Sequence, residues 1–253
     1  MTTRKLLTTL TLVLVLFKTN GQTPKYYFKV VDSIVLAETT SKNLQTKLDT
    51  LKSKYIPSRS SFSISFDRDI DFVFRHHRLN VELNFEKFQI DLLTHNDTIY
   101  ARTIRHYYNP FEMDKTTLAF ASSFSFEKVN EYLTQRNKFY KSQKTLKDLI
   151  KEISEYRVFA FYCGDGSPLT EEGKQIKEIA AQEKTDTLFQ MLQSICVETQ
   201  AYGVSGFKIL ENNGYPIDSD VSKIIKRIKK RNSETVTCSG CITGLIRKIY
   251  SKR

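Results

Sequence analysis

Four cysteines carry the most reactive side chains of this sequence, and their spacing raises the first question. Cys238 and Cys241 form a C-x-x-C motif near the C-terminus, whereas Cys163 and Cys196 stand alone. Such a motif can be a redox pair, half of a zinc site or a local structural disulfide. In an oxidising compartment all four are disulfide candidates, with three possible pairings. One alternative joins Cys163 or Cys196 to the C-terminal pair and fastens the tail to the helical part.

Catalysis by these thiols has weak support in the sequence. The C-x-x-C follows helical patterns and only 12 residues come after it, so no thioredoxin-like βαβ unit can form around it. Cys163 lies where a strand would meet a loop and a helix, the position of a nucleophile elbow, but Phe161 and Asp165 stand where that motif needs glycine. Structural use of the cysteines is favoured, and no residue is assigned as catalytic. Redox chemistry at the C-x-x-C or a hydrolase at Cys163 is the alternative.

Acidic and histidine residues suggest metal binding, but neither pattern is complete. Residues 67–71 resemble the start of a calcium loop, yet Phe72 and Arg78 stand where an EF-hand needs Gly and Glu. The aspartates of this segment fit better on the solvent face of a strand. Adjacent His76 and His77 would point to opposite faces of a strand, and all four histidines are expected at the surface or in turns. The sequence predicts no metal site and no cofactor.

The C-terminal region contains a strongly basic helix pattern. Hydrophobic residues recur at helical spacing over residues 221–231, and basic residues cover much of the remaining surface of that helix. A core-packed helix with a solvated face explains the pattern, and contact with acidic membranes or glycans is the functional alternative. The candidate residues for an anionic surface are Lys223, Lys226, Arg227, Lys229, Lys230 and Arg231.

Hydrophobic periodicity places these residues in an α+β fold with an N-terminal antiparallel β-meander and a helical C-terminal part. Period-2 alternation through residues 62–124 predicts five or six strands, with turns near Glu86 and at residues 95–97. Residues 38–54 fit a helix, and the apolar stretch 25–36 fits a strand or a helix. We expect residues 22–125 to be β-rich with an early helix, and 126–253 to be a helical region that ends with the C-x-x-C.

The period changes to that of helices after residue 125. A short apolar run over residues 158–163 predicts one last strand within this helical part. The predicted helices span residues 126–139, 145–156, 170–182, 185–195, 197–211 and 218–231.

The first 21 residues have the three parts of a cleavable secretory signal peptide. Arg4 and Lys5 form a positive n-region, residues 6–17 are largely apolar, and small residues at positions 19 and 21 suit a signal peptidase. The apolar run of 12 residues is too short to span a membrane comfortably. We expect an exported protein, periplasmic or secreted, that begins at Gln22 and has no transmembrane segment after cleavage.

Composition narrows the class of function. The net charge is +11, and removal of residues 1–21 leaves +8. The 17 Phe and 13 Tyr residues can supply a packed core, which argues against global disorder. For an exported chain, a basic surface favours anionic neighbours over nucleic acid. We expect a basic, non-enzymatic protein of the envelope or medium that acts by binding. The alternatives are a thiol-based enzyme and a basic module that adheres to anionic surfaces.

Overall fold

A computed structural model describes residues 24–55, 57–107 and 117–250, and its fold is α+β. The predicted signal peptide, residues 1–21, lies outside the described residues. The N-terminal half contains an antiparallel meander in which five strands lie side by side in sequence order, and the C-terminal half is mostly helical. The strands are β1 (Ser60–Asp71), β2 (Phe74–Leu83), β3 (Glu86–His95), β4 (Thr98–Tyr107) and β5 (Thr117–Phe124).

Helices both precede and follow the sheet. The stretch that fits either a strand or a helix forms α1, with Tyr27, Val31 and Val35 buried at intervals of four residues. Several of the other helices begin with a residue whose side chain caps the first turn. Thr145 and Asp148, for example, form a capping box at the start of residues 146–154. The helices are α1 (Pro24–Ala37), α2 (Ser41–Lys52), α3 (Phe126–Tyr140), α4 (Leu146–Ser154), α5 (Glu171–Ala181), α6 (Thr185–Leu192), α7 (Val197–Asn212) and α8 (Ser219–Arg231). No helix in the described ranges is long and apolar enough to cross a membrane.

Two-residue turns connect the first four strands. Asn84 and Phe85 form the β2–β3 turn, two residues before its predicted position, and Glu86 begins β3. Asn96 and Asp97 form the β3–β4 turn as expected, because both residue types tolerate positive φ angles.

The sheet is the middle layer of the fold. Adjacent Leu92 and Leu93 of β3 point to opposite faces and belong to separate hydrophobic clusters. One cluster includes Leu44 and Leu48 of α2, and the other includes Tyr132 of α3. Strand β3 is therefore buried on both faces, whereas the alternation predicted half-buried strands.

The C-terminal half departs from the sequence prediction at two places. Residues 158–163 form no regular strand; Phe159 and Tyr162 make only isolated bridges. Residues after α8 form a β-hairpin of β6 (Glu234–Ser239) and β7 (Ile242–Lys248), which the helical pattern does not predict. Gly240, with φ 57°, makes its turn, and Gly244, with φ 82°, lies at a register shift next to Cys238.

Candidate functional site

The structure joins Cys163 to Cys238 in a disulfide, with their Cα atoms 5.6 Å apart. Cys238 lies in β6, and Cys163 lies in the loop between α4 and α5. The Gly164 N–H donates to the Gly240 carbonyl at 2.7 Å and reinforces the contact. Of the possible pairings, the observed one links the helical part to the C-terminal motif and fastens the hairpin to the loop that precedes α5.

The other two cysteines are free thiols. Cys196 is buried, and its Sγ lies 3.3 Å from Glu198 Oε2; burial raises the pKa of this thiol to about 12. Cys241 is exposed at the hairpin turn. The C-x-x-C is therefore not a bonded pair, and Cys163 has no free thiol to act as a nucleophile.

The predicted position of the aspartates holds for part of segment 67–71. Asp67 and Asp69 are exposed, and each lies 2.7 Å from the guanidinium of Arg75 on β2. Asp71 is instead buried, and its Oδ2 lies 2.7 Å from Arg231 Nη1. Within the described ranges, no group of three or more His, Cys, Asp or Glu side chains could hold a metal ion.

The histidine prediction is wrong for His76, His77 and His106. All three are at most 4% exposed, because their strands lie between helical layers. His95, the last residue of β3, lies beside the turn as expected. A half-buried strand would have offered these side chains a solvent face, and this sheet offers none at those positions.

A buried polar cluster, absent from the sequence-based predictions, joins the sheet to α7. Arg68 Nη1 donates to Glu198 Oε1 at 2.5 Å, and Nη2 reaches Oε2 at 3.2 Å. Beside this pair, Asp91 Oδ1 accepts from His76 Nε2 at 2.8 Å and from Arg78 Nε at 2.6 Å. His76, Arg78 and Asp91 share the non-apolar parity of β2 and β3, which is the only sequence signal for the cluster. Arg68 instead shares the apolar parity of Phe66 and Ile70, so the alternation does not indicate it. The contacts are internal, which indicates a structural role.

Burial decides the charge of the imidazole in this cluster. Removal from water lowers the pKa of His76 from 6.5 to about 4, and the nearby Arg68 and Arg78 guanidinium groups favour the same neutral form. The Asp91 carboxylate opposes this shift only in part. Burial also acts to raise the pKa of Glu198, but Arg68 more than offsets it and holds that pKa below its ordinary value.

Stability is therefore expected to fall as the pH drops from 6.5 to about 4. In this window the unfolded chain takes up a proton at His76, whereas the folded protein keeps that imidazole neutral. The contribution of neutral His76 to the free energy of unfolding is therefore complete above pH 6.5 and lost as the pH falls toward 4. The slope from one such group is at most about 1.4 kcal/mol per pH unit. Urea unfolding measured across this range checks the slope, and His76→Gln should reduce it. An unchanged slope in that variant would contradict the assignment.

A cleft of 580 Å³ lies beside the disulfide, between the loop before α5 and α7. Its wall includes Tyr202, whose hydroxyl accepts from Ala160 N–H at 3.0 Å, and Glu155, which pairs with Arg157 at 3.0 Å. These polar groups are directed at the protein's own chain. They hold the loop between α4 and α5 in place.

The basic helix predicted at 218–231 is α8, and it packs through Ile224 and Ile228, each 2% exposed. Its first turn is capped by Asp218, whose carboxylate accepts from two backbone N–H groups. Four lysines lie exposed away from the core, and three of them, Lys226, Lys229 and Lys230, form no ion pair within the described part of the chain. We call this surface the lysine face; it consists of Lys223, Lys226, Lys229 and Lys230.

Both arginines of the predicted set have a different role. Arg231 is buried and donates to Asp71 Oδ2 at 2.7 Å and to Gln200 Oε1 at 2.6 Å. The Arg227 guanidinium lies over the Phe72 ring, 5.3 Å from its centroid, and its Nε is 3.6 Å from Asp71 Oδ1. These two side chains fasten α8 to the end of β1 and hold the lysine face in a fixed orientation.

An apolar groove flanks the lysine face on each side. The larger, of 460 Å³, lies between α3 and α8, and the smaller, of 180 Å³, lies between α7 and α8. Each has hydrophobic side chains together with lysines, so cationic and apolar surfaces alternate across this side of the protein. The larger groove is lined by Phe72, Gln135, Lys138, Phe139, Lys141, Asp220, Lys223 and Ile224.

Comparison with protein-family models, curated proteins and solved structures finds no match to this chain.

Proposed function

We propose that this protein is exported and acts by binding, and that the lysine face of α8 contacts an anionic surface of the envelope. The observation that carries the proposal is the row of four exposed lysines on α8, where the buried Arg231 and the partly exposed Arg227 face Asp71 instead. Lys223, Lys226 and Lys230 are spaced at i, i+3 and i+7, which puts them on one side of the helix. Phosphates of lipids or of acidic glycans are the groups that such a row attracts.

Two features support export. Residues 1–21 have the composition of a cleavable signal peptide. The disulfide joins residues 75 positions apart, and bonds of this kind persist in oxidising compartments such as the periplasm and the extracellular medium. Both features favour a compartment in which envelope anions are available to the lysine face.

Neutralising the lysine face should abolish most of the binding to anionic membranes. Each lysine near an anionic bilayer contributes about 1 kcal/mol, so the triple variant Lys226→Gln, Lys229→Gln and Lys230→Gln should raise the Kd by about a hundredfold. Co-sedimentation with vesicles of phosphatidylglycerol and phosphatidylcholine, measured at several salt concentrations, checks this. Binding of the unaltered protein should weaken as salt rises.

A matched triple variant on the other side of the protein distinguishes the effect of the lysine face from the effect of net charge. Lys25, Lys29 and Lys42 are exposed on α1 and α2, which pack on the opposite face of the sheet. Their replacement by Gln removes the same charge and should leave binding nearly unchanged. Equal losses in the two triple variants would show that overall charge, rather than the lysine face, governs binding. Absence of binding at low salt to both anionic vesicles and a soluble polyanion would contradict the proposal.

A further inference from the structure

The β1–β2 turn is formed by two residues whose side chains disfavour its backbone conformation. Phe72 and Val73 have φ angles of 51° and 62°, a region that is strongly unfavourable for bulky and β-branched residues. The next two turns of the meander begin with Asn84 and Asn96, which tolerate it, although Phe85 at the second position of the β2–β3 turn also has a positive φ, of 73°. Only the β1–β2 turn has unfavourable residues at both positions. Val73 is also 73% exposed, so core packing does not explain a valine there. Backbone strain of this kind is often maintained where it serves a function.

This turn lies directly beside the lysine face. The Phe72 ring is 6.1 Å from the Phe139 ring of α3, and Arg227 of α8 covers it. Phe72 also lines the larger groove together with Lys138 and Lys223. An exposed valine thus adjoins an apolar groove that is bordered by lysines.

We propose that the Phe72-Val73 turn is a membrane anchor that inserts the Val73 side chain among the acyl chains of an anionic lipid surface. The inference rests on the proposed function and narrows its partner to a lipid bilayer, since a glycan offers no hydrocarbon to an exposed valine. The lysines bind the phosphates of the head groups, and the valine enters the boundary between head groups and acyl chains. Proteins that bind the membrane interface combine apolar and basic surfaces in this way.

Substitution by asparagine separates the structural role of this position from the binding role. Val73→Asn introduces a residue type that tolerates positive φ into the turn, so the urea midpoint should rise. Loss of the valine side chain that enters the bilayer should at the same time raise the Kd for phosphatidylglycerol vesicles by about tenfold. A variant that becomes more stable but binds less well cannot be explained by misfolding. Unchanged vesicle binding in this variant overturns the proposal.

Fluorescence provides a second readout, because the chain contains no tryptophan. Val73→Trp should shift its emission to shorter wavelength on vesicle binding, and lipids with a quencher on the acyl chain should reduce its intensity. The matched control is Phe85→Trp in the β2–β3 turn, at the other end of β2 and 59% exposed. Its emission should not respond. Absence of quenching at position 73, or equal quenching at both turns, overturns the insertion.

The failures of the two proposals can be distinguished. If the lysine variant loses vesicle binding while Val73→Asn binds at full affinity and the emission of Val73→Trp is not quenched, the contact is electrostatic only and the insertion is refuted. If the protein binds soluble polyphosphate but no vesicles, the anionic-surface function stands and the lipid anchor is wrong. If it binds neither, both proposals fail.

Discussion

Replacing Glu198 by Gln is expected to lower the free energy of unfolding by about 3–5 kcal/mol. The carboxylate is only 2% exposed and accepts from Arg68 at 2.5 Å and from the Val236 N–H at 2.9 Å. A glutamine side chain at this position would keep the approximate shape but leave the Arg68 guanidinium buried with no countercharge. The cost arises from the uncompensated charge more than from the lost attraction. Urea unfolding followed by circular dichroism at pH 7 measures the change.

An exposed ion pair provides the comparison. Lys208 and Glu211 lie 2.7 Å apart on α7, with side chains 56% and 59% exposed. Lys208→Gln should change stability by less than about 1 kcal/mol, because water already solvates both groups. If Glu198→Gln costs no more than this control, water must reach Arg68 when its partner is lost, and the cluster is not closed as described.

Removal of the disulfide should have an effect of similar size. The Cys163–Cys238 bond closes a loop between residues 75 positions apart, and the chain-entropy relation for such a loop gives about 4.5 kcal/mol. The double variant Cys163→Ser and Cys238→Ser should lose about 2–5 kcal/mol of stability. The unaltered protein should fall to the same level in reductant, whereas the double variant should not respond to it.

The free cysteine of the C-x-x-C tests the pairing. Cys241 is exposed at the hairpin turn and unbonded, so Cys241→Ser should keep full stability and should retain the response to reductant. If Cys238 were instead bonded to Cys241, this single substitution would destabilise the protein. Peptide mapping after alkylation of the unfolded, unreduced chain should find Cys196 and Cys241 as the alkylated residues.

Much of the fold follows from local periodicity. The meander strands alternate with period 2, and the asparagines at two of their turns indicate the reversals. Most helices begin within three residues of the predicted positions, because polar capping residues such as Thr170 and Asp218 mark their first turns. These signals depend on neighbouring residues and need no knowledge of tertiary contacts.

The sequence does not indicate which charged residues form buried ion pairs with one another. Asp71 alternates with hydrophobic residues as an exposed strand residue would, and its burial depends on Arg231, which arrives 160 residues later. The burial of Arg68 likewise depends on a distant partner, Glu198, which lies 130 residues later in the chain. The hairpin at 234–248 follows a long basic helix whose pattern gives no indication of it, although Ser239-Gly240 is a recognisable turn dipeptide.

The candidate surface was partly predictable. All six basic residues of α8 could be identified from the sequence, since lysine and arginine both appear on the polar side of a helical pattern. Their division into four surface lysines and two anchoring arginines depends on Asp71 and Phe72, which belong to the sheet and its first turn. The strained turn at Val73 gave no signal at all, because only the backbone of the folded hairpin shows its positive φ angle.

The long-range ion pairs also set the order in which the fold can be completed. The meander needs only neighbouring strands, so it can assemble as soon as residues 60–124 are available. Its face toward α7 carries Arg68 and Asp71, and their partners belong to the last quarter of the chain. When the chain emerges N-terminus first during synthesis, water must solvate that face until α7 and α8 have formed. A chain truncated before residue 198 would therefore leave Arg68 and Asp71 without the partners that bury them in the complete fold.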